Sequence, residues 1–359
     1  MSGRGAPVVL ALPGGILVCI DYTQEFHMNE PSLAGESNWG LSQIVGELHE
    51  ARMQWRTHSG RIRSTGEREF PSVEEVRGIV EMLCAALFPM RLGPSDLREA
   101  NEDAYVQLTL ANALNRLVRQ IRLELGYKAR GKPEEQAGIA AQADELVRQF
   151  AAALPRVRVV LDTDVVAAYQ GDPAARSVDE VLLCYPGVTA VTHHRLAHEL
   201  YKLGAPLVAR IVAEIAHADT GIDIHPGATI GQSFFIDHGT GVVIGETTII
   251  GERVRLYQAV TLGAKRFPAS ENGELKKGLP RHPILEDDVV IYAGATILGR
   301  ITIGRHSVIG GNVWLTTSVP PSSNVTQATL VNDCVSDNTN GHDGGKANGK
   351  GSASLDGCG

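Results

Sequence analysis

The stretch that decides the fold runs from residue 221 to 263 and reads GIDIHPGATIGQSFFIDHGTGVVIGETTIIGERVRLYQAVTLG. Read six residues at a time from Asp223, its second position holds Ile224, Ile230, Ile236, Val242, Thr248, Val254 and Val260. After an interruption the sixes resume at Pro283, and their third position holds Leu285, Ile291, Ile297, Ile303, Ile309 and Leu315. All but Thr248 are aliphatic, so the six-residue period is the strongest pattern in the chain.

A period of six suits neither an α-helix nor a plain strand, but it suits short strands joined by tight corners, with one aliphatic side chain per unit pointing inward. Three units make one triangular coil, and stacked coils bury a continuous aliphatic column. An ordinary β-sandwich would instead show two-residue alternation at irregular spacing. We therefore predict a parallel β-helix over residues 221–321, interrupted by an excursion loop at 263–283, where polar and charged residues replace the repeat.

The regions outside the repeat have other patterns. Residues 41–220 show helical periodicity, and Ser72-Val73-Glu74-Glu75 and Ser177-Val178-Asp179-Glu180 are capping-box starts of helices. Residues 1–40 are predicted to form a loose arm, and residues 322–359, rich in Gly, Asn, Asp and Ser, a disordered tail. The fold class is α+β, with an all-helical domain followed by the β-helix.

Composition narrows the functional classes. The 359 residues include 33 Lys and Arg against 41 Asp and Glu, a net charge of −8, which argues against nucleic acid as a partner. No apolar run reaches the ~18 residues of a membrane span. The five cysteines are scattered without a Cys-x-x-Cys pair, as in proteins of a reducing compartment, so we expect a cytoplasmic protein.

Several motifs rest on residues that the repeat does not require. DIHPGATIG, DHGTGVVIGET, QAVTLGA, RHP and AGATILG stand behind a helical region that contains Gly171-Asp172-Pro173-Ala174. Together they resemble serine O-acetyltransferase. The resemblance covers roughly residues 162–321 and implies that the β-helix is left-handed. It also implies acetyl transfer from acetyl-CoA to L-serine, the first step of cysteine biosynthesis from serine, by direct transfer without a covalent enzyme intermediate.

The resemblance also assigns site residues. It makes His238 the general base with Asp223 as its orienting partner, and it gives serine binding to Asp172, Asp237, Arg281 and His282. The chemistry is consistent, since an imidazole with an ordinary pKa of about 6.5 can accept the serine proton. Arg281 suits the substrate carboxylate, and Asp172 or Asp237 its ammonium. Asp223 precedes His238 by 15 residues, nearly one 18-residue coil, whereas Asp237 is adjacent and points the opposite way along a strand, which makes it the poorer partner.

In this family acetyl-CoA is a co-substrate that lies between neighbouring β-helices of a trimer, and no cofactor is bound permanently. The matching small residues are Gly263, Ala264, Ala293, Gly294 and Ala295, where backbone amides can approach a ligand. Lys265, Arg266, Lys276 and Lys277 either meet the CoA phosphates or form a solvated loop. We expect a homotrimer or a dimer of trimers. Enterobacterial members end in an isoleucine that inserts into cysteine synthase; this sequence ends in Gly359, so the resemblance does not extend to that partner.

Other interpretations of these residues stay open. His238 can be a structural corner residue, Asp223 and Asp172 can cap turns, Arg281 and His282 can anchor the loop, and Glu246 is equally a structural or a site residue. Another hydroxyl acceptor is possible on the same fold. A γ-class carbonic anhydrase would need three zinc-binding histidines, and its close histidine pair is missing late in the repeat. His194 and His198, four residues apart, have no third ligand in sequence, so we predict no metal site.

Overall fold

The computed structural model describes residues 8–11, 17–20, 39–58, 69–130, 133–266 and 278–327. The chain separates into two compact units, residues 1–68 and 69–359. The first unit holds an antiparallel pair of strands, β1 (Val8–Ala11) and β2 (Leu17–Ile20), and helix α1 (Leu41–His58). Two strands thus lie within the predicted loose arm, whose residues 1–7, 12–16 and 21–38 lie outside the described part.

The second unit begins with helices. They are α2 (Val73–Leu87), α3 (Pro89–Leu92), α4 (Glu99–Lys128), α5 (Pro133–Gln136), α6 (Ile139–Gly171), α7 (Val178–Cys184), α8 (Pro186–Lys202) and α9 (Pro206–Thr220). Both predicted serine caps are present, because Ser72 Oγ accepts from the Glu75 amide and Ser177 Oγ from the Glu180 amide. No described helix is long and apolar enough to cross a membrane.

The strands that follow are two or three residues long and form three parallel sheets, the faces of a triangular prism. Face I holds β3 (Asp223–Ile224), β6 (Val243–Ile244), β9 (Thr261–Gly263), β12 (Thr296–Leu298) and β15 (Trp314–Leu315). Face II holds β4 (Thr229–Ile230), β7 (Ile249–Ile250), β10 (Ile284–Leu285) and β13 (Thr302–Ile303). Face III holds β5 (Phe235–Ile236), β8 (Arg255–Leu256), β11 (Val290–Ile291), β14 (Val308–Ile309) and β16 (Asn324–Val325). Each coil visits the faces in the order I, II, III, and the predicted parallel β-helix of hexapeptide repeats is confirmed.

One corner departs from the period of six. Ile224 pairs with Ile244, twenty residues on, whereas Ile244 pairs with Leu262, eighteen residues on. The first coil therefore contains two extra residues, and they fall in the corner between β5 and β6, within Asp237–Gly241. Because a corner with surplus backbone must bulge from the prism, the DHGTG motif lies on a projecting edge.

Each unit buries two side chains rather than the single one predicted. Both Val242 and Ile244 are 1% exposed, because residues two apart on a strand share a face. Thr248 occupies one of these inward positions, and its hydroxyl has no hydrogen-bond partner among the described residues. The β-helix also continues past the predicted end at residue 321, since β16 pairs with β14 in face III. Residues 328–359 of the predicted disordered tail lie outside the described part.

A buried ion pair joins the helices to the first coil. Arg195 of α8 forms a bidentate pair with Asp164 of α6, at 2.9 and 3.0 Å, and also donates to the carbonyls of Ile230 and Gly231. Asp164 in turn accepts a hydrogen bond from the Phe234 amide. With its donors and acceptors satisfied in this way, the pair fixes α6 and α8 against the coil that carries the predicted site.

Candidate active site

His238 lies on the projecting edge between faces III and I. Its backbone is left-handed, with φ 58°, a conformation that histidine adopts more readily than most residues. The side chain is 71% exposed, and its Nδ1 lies 3.7 Å from Asp237 Oδ1. An imidazole presented in this way is accessible to a substrate.

Asp172 reaches the same edge from the helices. It follows the last residue of α6 and accepts hydrogen bonds from the Ala174 amide at 2.8 Å and from the Tyr185 hydroxyl at 2.5 Å. The Tyr185 bond, helped by the Ala174 amide and the nearby His238, lowers the pKa of the Asp172 carboxyl; the same bond raises the pKa of Tyr185 to about 12. Asp172 is therefore an anion near His238, although it also caps its own turn.

Asp223 is not joined to His238 within one chain. It opens β3 on face I, where its amide donates to the Val242 carbonyl at 2.9 Å. Its carboxylate lies with Glu214 and His217 instead, the three ligand atoms within 4.8 Å of one another. Among the described residues, the ion-pair contact of His238 is with Asp237. The assignment of Asp223 as orienting partner stays a prediction.

Arg281 lies on a different edge of the prism, between faces I and II. Its Nη2 donates to Glu246 Oε2 at 2.7 Å, and the Tyr201 hydroxyl of α8 donates to Glu246 Oε1 at 3.1 Å. Burial by itself would raise the pKa of Glu246, but the hydrogen bonds from Arg281 and Tyr201 outweigh it and the pKa is lowered. Glu246 is thus an anion that holds the guanidinium of Arg281 in place.

His282 is 6% exposed and lies beside Arg281. Its Nδ1 lies 2.9 Å from Thr247 Oγ1 and accepts the Thr247 amide at 3.1 Å, and a Cβ at Gly245 would overlap its ring. Burial, reinforced by the positive charge of Arg281, lowers the pKa of His282 to about 4. The imidazole is therefore neutral at physiological pH, with Nδ1 as the acceptor and the proton on Nε2.

The predicted serine-binding residues therefore fall into two groups. The acidic group, Asp172 and Asp237 with His238, lies on the edge between faces III and I, and the basic group, Arg281 with His282, lies on the edge between faces I and II. These are the two opposite edges of face I. One chain does not bring the groups together at a single point.

The small residues predicted to contact acetyl-CoA differ in their exposure and in whether their backbone amides already donate hydrogen bonds. Gly263 ends β9 and Ala264 follows it, both partly exposed, as is Ala293. The Gly294 amide, however, donates to the Gln258 carbonyl and the Ala295 amide to the Tyr292 carbonyl, and the Ala295 side chain is fully buried. The amides of these two residues therefore serve the coil itself, and their assignment to acetyl-CoA stays a prediction. Lys265 and Arg266 are exposed, while Lys276 and Lys277 lie outside the described residues.

Three supporting residues escaped the sequence reasoning, namely Tyr185, Tyr201 and Thr247. The two tyrosines contact acidic residues 13 and 45 positions away, and no local pattern predicts such contacts. Thr247 follows Glu246 in the triplet Gly245-Glu246-Thr247, and this adjacency to a candidate site residue was the one sequence feature that pointed to it. In the described residues, the group of side chains placed to hold a metal is Glu214, His217 and Asp223, and it includes neither His194 nor His198.

Comparison with known proteins agrees with the fold and the motifs. The family model for bacterial transferase hexapeptide (six repeats) matches residues 282–317. The "Serine acetyltransferase, plasmid" of Synechococcus elongatus is 55% identical over 299 residues, which cover 82% of this chain and 93% of that protein. The serine acetyltransferase of Mycobacterium tuberculosis is 51% identical over 160 residues, 45% of this chain and 66% of that protein.

Solved structures give the same result. Serine acetyltransferase 1 of Entamoeba histolytica in complex with L-cysteine aligns with a TM-score of 0.61 at 37% identity, over 70% of this chain and 86% of that chain. The native form of that enzyme aligns with a TM-score of 0.60 at 35% identity, over 74% and 90%. Because the Synechococcus relative shares more than half of its residues with this chain over most of both lengths, the chain belongs to the serine acetyltransferase family.

Proposed function

We propose that this enzyme transfers the acetyl group of acetyl-CoA to the hydroxyl of L-serine, which yields O-acetyl-L-serine and CoA for cysteine biosynthesis. The relatives named above are serine acetyltransferases, and the Entamoeba enzyme binds L-cysteine, which carries the same α-ammonium and α-carboxylate groups as serine.

The observation that carries the proposal is the separation of charge across face I. A zwitterionic amino acid needs an anion for its ammonium and a cation for its carboxylate. The edge that carries His238 supplies Asp172 and Asp237, and the opposite edge supplies Arg281, held by Glu246. Arg281 can form a bidentate pair with a carboxylate, which fixes the orientation of the substrate as well as its affinity.

Two chains complete the site in this proposal. Since the two groups lie on opposite edges of one face, they meet when the His238 edge of one chain packs against the Arg281 edge of the next. Repeated head to tail, such a contact forms a ring where the rotation between neighbours closes, as in the trimer that the family resemblance implies. We therefore propose a homotrimer with three equivalent sites.

His238 acts as general base in a single transfer step. As the serine oxygen attacks the thioester carbonyl, its proton passes to the imidazole. The tetrahedral intermediate then expels the CoA thiolate, which takes the proton back from the imidazolium, so no acyl-enzyme forms. We assign Asp223 as the carboxylate that orients His238 and Asp237 as a ligand of the serine ammonium.

Acetyl-CoA is the co-substrate in this scheme. The partly exposed Gly263, Ala264 and Ala293 leave room for its thioester arm, and the exposed Lys265 and Arg266 can pair with its phosphates. Because the helices pack on β5, next to His238, the long arm of the co-substrate has to extend towards the later coils.

Measuring the release of CoA thiol from acetyl-CoA tests the proposal. L-serine is compared with serinamide, which lacks the carboxylate, and with N-acetylserine, which lacks the ammonium. Each lost charge-assisted hydrogen bond should lower kcat/KM by about 10- to 100-fold. Equal rates with the three acceptors, or faster release with a sugar hydroxyl, would contradict L-serine as the substrate.

A further inference from the structure

Three metal-ligating side chains converge where the helices meet the β-helix. The carboxylates of Glu214 and Asp223 and the imidazole of His217 place their ligand atoms within 4.8 Å of one another. Glu214 and His217 are about half exposed, with side-chain exposures of 48% and 45%, so an ion in solution can reach them.

Two different elements hold the group. Glu214 and His217 are three residues apart on the last turns of α9 and therefore share a helix face. Gly221 ends the helix in a left-handed conformation, φ 70°, and turns the chain back so that Asp223 opens β3 beneath that face. The hydrogen bond from the Asp223 amide to Val242 then fixes its backbone in the β-ladder. The backbone positions are thus set before any ion binds.

We propose that Glu214, His217 and Asp223 bind a divalent transition-metal ion of the Zn²⁺ or Co²⁺ class, with water at the remaining positions. Bonds of about 2.0–2.2 Å in a tetrahedral site place neighbouring ligand atoms roughly 3.3–3.6 Å apart. His217 Nδ1 and Glu214 Oε2 are already 3.4 Å apart. The ligand oxygen of Asp223 lies within 4.8 Å of the other two ligand atoms, so it has to approach by at most about 1.5 Å, a rotamer-scale movement, to reach that spacing.

The donor set and its charge match this class of ion. One imidazole and two carboxylates offer one nitrogen and two oxygen ligands, which Zn²⁺ and Co²⁺ accept, and the two negative charges balance the charge of the ion. Arg210 competes for Glu214 through a pair at 2.6 Å, but both side chains are 40% exposed or more, and such pairs contribute little.

Occupation of this site should inhibit the enzyme. The ion would take up the carboxylate of Asp223, which then no longer orients His238. This consequence depends on the proposed function, whereas the binding of the ion does not.

The test uses the tag-free, chelator-treated full-length protein and ZnCl₂ in isothermal titration calorimetry, with CoA-thiol release measured in parallel. His217→Ala removes the imidazole ligand. The control is His306→Ala, because His306 is also exposed and lies 3.6 Å from one carboxylate, that of Asp288, but lies outside the group. Circular dichroism checks that both variants are folded, and Glu214→Gln provides a second loss of a ligand.

We expect the wild type and His306→Ala to bind one more Zn²⁺ per chain than His217→Ala, and Glu214→Gln to bind that ion at least tenfold more weakly. Zn²⁺ should inhibit the wild type and His306→Ala at concentrations that leave His217→Ala active. Equal stoichiometry in wild type and His217→Ala would overturn the site. If His217→Ala binds one Zn²⁺ fewer than the wild type but the wild type acetylates no serine, the result supports the metal site and contradicts the proposed function.

Discussion

Arg281 and Glu246 form a hydrogen-bonded ion pair, 2.7 Å from Nη2 to Oε2, in which each side chain is only about a quarter exposed. The pair joins the segment before β10 to the corner before β7, one coil away. Tyr201 of α8 donates to the other oxygen of Glu246 and so ties the same corner to the helices. Arg281, which we propose binds the serine carboxylate, is thus positioned by Glu246, and Glu246 itself does not need to contact the substrate.

Glu246→Gln tests this positioning. The amide keeps the shape of the side chain but weakens the bond to Arg281, so the guanidinium loses its fixed orientation. We expect the KM for L-serine to rise about tenfold or more while kcat changes less, since a charge-assisted hydrogen bond contributes about 1.5–3 kcal/mol. Steady-state kinetics with varied serine at saturating acetyl-CoA provide the measurement.

Glu252→Gln is the matched control. Glu252 pairs with Arg253 at 2.9 Å on the surface of the β-helix, away from the Arg281 edge, and both side chains are 44% exposed or more. Its replacement should leave both kinetic constants unchanged. An equal rise in KM in the two variants would show that Glu246 acts only through general surface charge.

Mixed oligomers test whether two chains share the site. Alone, His238→Asn should lower kcat/KM by about 10²- to 10⁴-fold and Arg281→Gln by about 10- to 100-fold. If the two variants are co-expressed in one cell, about one interface in four combines the two intact edges of a cyclic assembly, and a corresponding share of the wild-type rate should return. Co-purification through two different tags isolates the mixed species, in which about one interface in three of a cyclic trimer is intact. A rate no higher than that of the two separate variants would contradict a shared site.

The buried His282 predicts a pH dependence of stability. Its folded pKa of about 4 lies below the ordinary value of 6.5, so the folded protein binds fewer protons than the unfolded chain between these values. The stabilising contribution is complete above about pH 6.5 and is lost as the pH falls towards 4, at up to about 1.4 kcal/mol per pH unit. Denaturant unfolding from pH 7 to pH 4.5 measures the slope.

In His282→Asn this part of the slope should vanish, whatever the change in stability at pH 7. His306→Asn serves as the comparison, because the side chain of His306 is 59% exposed whereas His282 is buried. If the free energy of unfolding of His282→Asn depended on pH as steeply as that of the wild type, burial of the neutral His282 imidazole would not be the cause of the pH dependence.

Thr248 predicts a stabilising substitution. Its hydroxyl is buried in the aliphatic interior, and no residue in the described part of the chain forms a hydrogen bond with it. Thr248→Val keeps the shape of the side chain and removes the unpaired polar group, so the free energy of unfolding should rise by about 1–3 kcal/mol. Thr229→Val, on the neighbouring strand β4 where the side chain is exposed, should change the free energy of unfolding by less than about 0.5 kcal/mol. No gain in Thr248→Val over Thr229→Val would mean that the hydroxyl is satisfied in solution.

The sequence was sufficient to predict the fold because the period of six is a local property. It did not show the two extra residues near His238. Val242 is also aliphatic and inward-facing, so the six-residue count continued from Ile236 to Val242 as if no residues had been inserted. The separation of His238 from Arg281 also escaped prediction. The excursion loop breaks the count of coils, so the spacing of the two motifs gives no information about which edge each occupies.

The supporting contacts depend on the tertiary structure. Tyr201 contacts Glu246 because α8 packs near the corner before β7, and Tyr185 contacts Asp172 where the end of α6 meets the residue before α8. The six-residue period shows neither contact. The packing of α9 on β3 brings His217 to Asp223. Site residues that lie together in one sequence motif could be predicted. Contacts between a helix and a coil could be seen only in the structure.

His238 and His306 offer the most direct test of general-base catalysis. Both occupy left-handed corners, φ 58° and 60°, and both lie within 3.7 Å of a carboxylate on the surface of the β-helix. Asparagine tolerates that backbone, so His238→Asn and His306→Asn should both fold. The measurement is kcat for CoA release with L-serine. We predict a loss of about 10²- to 10⁴-fold in His238→Asn and no loss in His306→Asn; a His238→Asn enzyme within about threefold of the wild type would contradict the assignment of His238 as the base.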